Sequence, residues 1–298
     1  MNAPLSDTLA RGTRQVAEQA ATEAHPRTTA MPLERSEHAC VPATVRAARW
    51  VAPQLRRLTL HAPGLVGWWE PFGPDEFVGL VMPQPGTPLP DLSKVSGPNP
   101  RPVLGQMPED VRPVVRWYTV RAHRPDLAEL DIEVVLHPEG EVDEGPGATW
   151  VRHLVPGAEV AVQTGTTCYH PPSTARNRLV AGDETAYPAL AGIIEEATRT
   201  GSEAELHVFL EVERAGVVPE LPRPPRGRVT LVERGDRRPG EALLAAVRAA
   251  ELPSPDHGWV CGEQELAASV RRHLIADRGV ARTSVYFCAY WILGRARG

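Results

Sequence analysis

The chain has 298 residues, 42% of them apolar and 23% charged, and a net charge of −5. That length suits two domains of ordinary size, able to bury a core without disulfides or metal. The acidic balance argues against nucleic acid as a partner, and no run of about 20 apolar residues offers a membrane span.

Positive charge is almost all arginine, with Lys94 the one lysine. Cys40, Cys168, Cys261 and Cys288 form no C-x-x-C pair, and the histidines form no H-E-x-x-H motif. A metal held by the protein is therefore not expected. The N-terminus has no apolar h-region, so a cytoplasmic protein with reduced thiols is expected.

Residues 1–36 are rich in Ala, Thr and Glu and have no apolar face, which predicts a disordered tail. Alternation predicts strands over 41–51 and 56–61, and an apolar run predicts another over 77–82. Residues 83–113 are dense in proline and glycine and predict a long irregular excursion. Strands resume over 114–121, 129–136 and 158–163, with a short helix ending near Leu154. Short strands with turn signals suggest a closed antiparallel barrel over 37–172.

The pattern changes near residue 173. Strands are predicted over 178–181, 205–212, 229–232, 259–261 and 284–289. Helices are predicted over 185–199, 241–250 and 263–277. This alternation predicts a parallel-sheet α/β domain over 173–298. The expected fold is thus an N-terminal antiparallel β-barrel followed by a C-terminal parallel-sheet α/β domain.

Three strings carry chemistry. Arg116-Trp117-Tyr118-Thr119-Val120-Arg121 lies on a predicted barrel strand, with Arg116 and Tyr118 on one face and Trp117 and Thr119 on the other. A flavin dinucleotide needs a cation at its pyrophosphate, an aromatic surface at its ring and a hydrogen-bonding group near ring N5. Arg, Tyr and Thr supply these in order. Gly145-Pro146-Gly147-Ala148-Thr149-Trp150 precedes the short helix, where backbone N–H groups and the helix dipole suit an anion. Gly182-Asp183-Glu184-Thr185-Ala186 follows a parallel strand, at the sheet edge where α/β folds bind nucleotides. Taken singly, the strings also read as a surface Arg with a core Tyr, a Gly-Pro turn and an N-cap.

Their order resembles the siderophore-interacting protein family of FAD-dependent ferric reductases, in the ferredoxin-reductase-like superfamily. Leu130–His137, Trp259-Val260-Cys261-Gly262-Glu263 and the terminal Ala289-Tyr290-Trp291-Ile292-Leu293-Gly294 extend the resemblance over about residues 40–298. The resemblance implies that Arg116 and the amides of Gly147, Ala148 and Thr149, beside Trp150, hold the FAD pyrophosphate. Tyr118 would pack on the isoalloxazine beside Trp117, Thr119 would bond near N5, and His137 would lie near the adenosine or ribityl group. Asp183, Thr185 and Ala186 would line a site for NAD(P)H as co-substrate, and Trp291 would lie near the flavin.

The sequence departs from the family at several points. Thr164-Gly165-Thr166-Thr167 replaces the usual Gly-Pro-basic-Gly loop, Ile292 replaces an Arg, and Pro138 follows His137. The expected function is reduction of a ferric siderophore. The departures keep two alternatives open: a flavoenzyme acting on an organic metabolite in biosynthesis, its flavin redox-active or structural, and a non-catalytic flavin carrier.

Overall fold

The computed structural model describes residues 30–136 and 145–295. Six strands close into a barrel in the order β1-β2-β5-β4-β3-β6. They are β1 (Cys40–Ala52), β2 (Leu55–His61), β3 (Phe77–Met82), β4 (Val114–Arg124), β5 (Glu129–Val135) and β6 (Glu159–Thr164), all paired antiparallel. Leu58, Leu60, Leu80, Met82, Ile132 and Val162 alternate inward and fill the barrel. Helix α1 (Pro146–His153) packs on the same core through Val151. Pro146 sits in its first turn, where a missing N–H costs nothing.

A five-stranded parallel sheet follows in the order β11-β10-β7-β8-β9. Its strands are β7 (Asn177–Asp183), β8 (Glu205–Val212), β9 (Gly227–Glu233), β10 (His257–Glu263) and β11 (Val285–Trp291). Helices α2 (Tyr187–Arg199), α3 (Glu241–Ala249) and α4 (Gln264–Ala276) connect them. Every residue of β10 is buried, as expected of a strand covered on both faces, whereas β9 is a half-exposed edge.

Two expectations need correction. Residues 30–36 are not a loose tail. The Leu33 amide donates to the Thr167 carbonyl at 3.0 Å, and the Thr166 hydroxyl donates to the Leu33 carbonyl at 2.7 Å. These bonds satisfy backbone that would otherwise be left unpaired along the 164–167 loop. The helix expected over 185–199 is split: Glu184–Ala186 is a 3-10 turn and α2 starts at Tyr187. Pro188, lacking an N–H, fits only the first turn of the α-helix. The excursion over 83–113 holds one helical turn, Arg101–Leu104, and packs Leu92, Val95 and Leu104 on the outer barrel face.

Asp75 joins the two halves. It accepts from the Cys168 and Tyr169 amides, both at 3.0 Å, from Trp259 Nε1 on β10 at 2.9 Å, and from the Thr167 hydroxyl. Among the described residues no helix is long and apolar enough to cross a membrane, and no group of side chains could hold a metal ion.

Candidate cofactor and nucleotide site

Arg116 on β4 faces the start of α1. A Cβ on Gly147 would stand 2.7 Å from Arg116 Cγ, so only glycine allows this approach. Arg116 Nη1 donates to the Val115 carbonyl at 2.8 Å. The N-cap residue, Gly145, gives α1 no side-chain cap. A helix start with no side-chain cap among the described residues, set against a guanidinium, is suited to an anion. At the other end of α1, Arg56 donates to the Arg152 carbonyl at 2.7 Å, the Leu154 carbonyl at 3.0 Å and the Val151 carbonyl. It satisfies orphan carbonyls and so fixes the axis of the helix.

Tyr118 lies two residues beyond Arg116 and packs against the barrel core. Burial pushes its phenol up to about 12, against the opposing pull of Arg116, so it stays neutral. Thr119 is buried and pairs in register with Phe77. The Trp117 ring stands edge-on to Phe77 at 5.3 Å, on the opposite face from Tyr118. Thr149 is exposed, with Ala148 and Trp150 half-buried against the barrel core. His137 lies outside the described residues.

The sheet edge is different in kind. Asp183 is fully buried, and its oxygens accept from the Thr185 amide at 2.9 Å, the Glu263 amide at 2.6 Å and Trp291 Nε1 at 2.9 Å. Gly262 sits at φ +137°, where a Cβ would lie 2.6 Å from the Asp183 carboxylate. Asp183 therefore binds the ends of β7, β10 and β11 together, and its lone pairs serve the protein's own donors. Ala186 is buried too, which leaves Thr185 as the member of that string with exposed surface. Glu211 in turn accepts from the Gly240 and Leu243 amides at 2.8 and 3.0 Å, capping α3. Glu263 caps α4 through the Glu265 and Leu266 amides. Arg234 sits between Glu184 and Glu211, at 3.3 and 3.7 Å. Burial, and then the nearby Asp183 charge, pushes the Glu184 carboxyl upward.

The model of the siderophore-interacting FAD-binding domain matches residues 44–165, and that of the siderophore-interacting protein matches 175–294. The chain belongs to the siderophore-interacting protein family. Among its relatives in this family is the ferric vibriobactin reductase ViuB of Vibrio cholerae, 28% identical over 83% of this chain and 87% of that protein. A siderophore utilization protein from T. fusca superposes with a TM-score of 0.71 at 27% identity, covering 88% of this chain and 96% of that one. The siderophore-interacting protein SipS from Aeromonas hydrophila gives 0.65 at 26% identity, covering 85% and 98%.

The family's FAD-binding domain makes FAD the cofactor, and the residues present fit it: a helix start with no side-chain cap among the described residues, a cation beside it and a neutral aromatic two residues along the strand. Sequence reasoning missed Arg56, Asp75 and the 30–39 segment. Arg56 carried no signal, because its partners are carbonyls some 95 residues away.

Proposed function

We propose that this chain is an FAD-dependent ferric-siderophore reductase that draws electrons from NADH or NADPH and delivers them to chelated iron(III). One observation carries the reading: Arg116 against an α1 start that no side chain among the described residues caps, in a chain spanned by both siderophore-interacting domains. FAD, when bound, supplies the exchange between two-electron and one-electron chemistry that a nicotinamide donor and an iron acceptor require.

The chain's own residues bind and orient. Arg116 and the Gly147–Thr149 amides hold the pyrophosphate by charge-assisted bonds. Tyr118 offers a neutral ring face, and Thr119, the next residue along the strand, a hydroxyl. Trp291 is held by Asp183 at the sheet edge. Cys261 is fully buried, which raises its thiol well above the usual range and makes it a wall rather than a nucleophile. Iron(II) leaves oxygen-donor chelators more readily than iron(III), so reduction releases the metal.

A second reading, an organic substrate for the flavin, has specific support. All four carbonyls of Thr164–Thr167 already accept bonds, from His38, Arg35, Phe77 and Leu33 in turn. The acceptors of the loop that the family resemblance gives to the nicotinamide donor are thus taken up by the protein itself. Anaerobic stopped-flow mixing of the yellow holoprotein with NADH or NADPH separates the readings. Slow but measurable bleaching, followed by recolouring with a ferric chelate and capture of iron(II), supports the reductase. If dithionite bleaches the flavin and neither nicotinamide does so over minutes, the donor assignment fails and the organic-substrate reading leads.

A further inference from the structure

Four acidic side chains meet at the C-terminal edge of the parallel sheet. Asp183 ends β7, Glu184 opens the 3-10 turn after it, Glu211 lies on β8 and Glu263 ends β10. All four are buried, Asp183, Glu184 and Glu211 completely. One guanidinium, Arg234, reaches between Glu184 and Glu211. The other acids near the turn are matched. β5 also packs on it, and its Glu133 is paired with Arg57 and Arg121, while Glu195 on α2 is held by Arg121.

Four buried carboxylates against one cation are a costly balance, because desolvation and mutual repulsion both favour a neutral form. Hydrogen bonds decide which carboxyl keeps a proton, since donors favour the charged form. Asp183 accepts from the Thr185 and Glu263 amides, the Thr185 hydroxyl and Trp291 Nε1. Glu211 accepts from two amides, and Glu263 from the amides of Glu265, Leu266 and Leu293. Glu184 Oε1 receives Arg234 Nη2 at 3.3 Å, and its buried Oε2 has no partner among the described residues. Glu184 is thus the least supported of the four as an anion. Burial, and then the Asp183 charge, raises its carboxyl to about 7, against the pull of Arg234.

Glu184 belongs to the Gly182–Ala186 string, just before α2, at the sheet edge where α/β folds take dinucleotides. A nicotinamide donor brings the two negative charges of its diphosphate to that edge. Buried charges are screened little by salt. An ionised Glu184 repels the diphosphate, and a neutral one does not.

We propose that binding of the nicotinamide donor is coupled to uptake of a proton by Glu184, so that this residue makes donor affinity depend on pH. The proposal rests on the reductase reading above. A proton from solvent joins the Glu184 carboxylate as the diphosphate arrives and returns to solvent when the nucleotide leaves; no electron moves in this step. Affinity is full where Glu184 is already protonated, below about pH 7, and falls as pH rises through that value.

Tetrahydro-NADH and tetrahydro-NADPH keep the diphosphate and give no hydride, so they report binding alone. Calorimetric titration of the holoprotein in buffers of different ionisation enthalpy counts the protons taken up. If binding raises the Glu184 carboxyl by about one unit, the expected results are about half a proton near pH 7.5 and about fivefold tighter binding at pH 6 than at pH 8. Glu184→Gln leaves the ligand's own ionisation in place and should lose the rest of the uptake and of the pH slope. Infrared difference spectra need no variant: binding to the parent protein should replace a carboxylate band by that of a protonated carboxyl. Level affinity across this range, no such exchange of bands, or an uptake that Glu184→Gln leaves unchanged overturns the coupling while the donor reading stands. If neither analogue binds at any pH and neither nicotinamide bleaches the flavin, the donor reading fails and the coupling falls with it.

Discussion

Arg116 and Arg121 stand on one strand, and we propose different roles for them. Arg121 is spent within the protein, reaching Glu195 on α2 at 2.9 Å and the buried Glu133 at 3.4 Å. Arg116 faces the start of α1, and Arg116→Ala should weaken FAD about ten- to hundredfold, the value of one charge-assisted bond at roughly 1.5–3 kcal/mol. Arg121→Ala should leave FAD affinity unchanged and lower the melting temperature. FAD titration of the two apoproteins checks this, and matching curves would remove Arg116 from the site. Alternation along β4 made that division legible in the sequence. The burial of Asp183 was not legible, because an acid after a strand reads equally as ligand or cap. Its partners on β10 and β11 lie 80 and 108 positions away. Glu76 offers a test by pH. Burial pushes its carboxyl from 4.5 up to about 7, opposed by Arg35. The folded state then holds this proton more tightly than the unfolded chain does. The stability it contributes is full below about pH 4.5 and is lost as pH rises through about 7. Glu76→Gln should melt with a flatter pH dependence than the parent between pH 5 and 8, and parallel profiles would contradict the assignment.

At the scale of elements, α1 is the part on which we propose that cofactor binding turns, and Arg56 anchors its far end. With three carbonyls of its last turn satisfied by one guanidinium, the helix cannot swing its start away from Arg116. Arg56→Ala should weaken FAD severalfold although Arg56 lies at the far end of the helix, and Arg56→Lys should restore part of the loss. Faster FAD release measured by fluorescence, with the flavin spectrum unchanged, is the expected sign; an unaltered release rate would show that the helix holds its place without Arg56. Most elements were readable because burial imposes the periodicity. The predicted 77–82 and 205–212 strands coincide with β3 and β8. The 30–39 segment escaped notice because its bonds are made by backbone, Arg35 and His38 to a distant loop, which leaves no hydrophobic period to read.

For the whole molecule, the order of the barrel and sheet domains was legible, but the way they dock was not. That depends on Asp75, whose partners lie 92 to 184 positions along the chain. Asp75→Ala would leave two buried amides, a hydroxyl and an indole N–H without their acceptor, each costing about 1–3 kcal/mol. A loss of at least 3 kcal/mol, or two separated unfolding transitions in urea, is expected; a single transition at the parent midpoint would show that the seam does not depend on this carboxylate. The capped sheet edge has its own consequence. Asp183, Glu211 and Glu263 take up the donors that nucleotide-binding folds present to phosphate, and they leave carboxylates along the approach. Mobile ions damp such repulsion beyond about 8 Å at physiological ionic strength. Added salt should therefore hasten the encounter with a dinucleotide donor, the reverse of its effect on proteins that grip diphosphates with open helix ends.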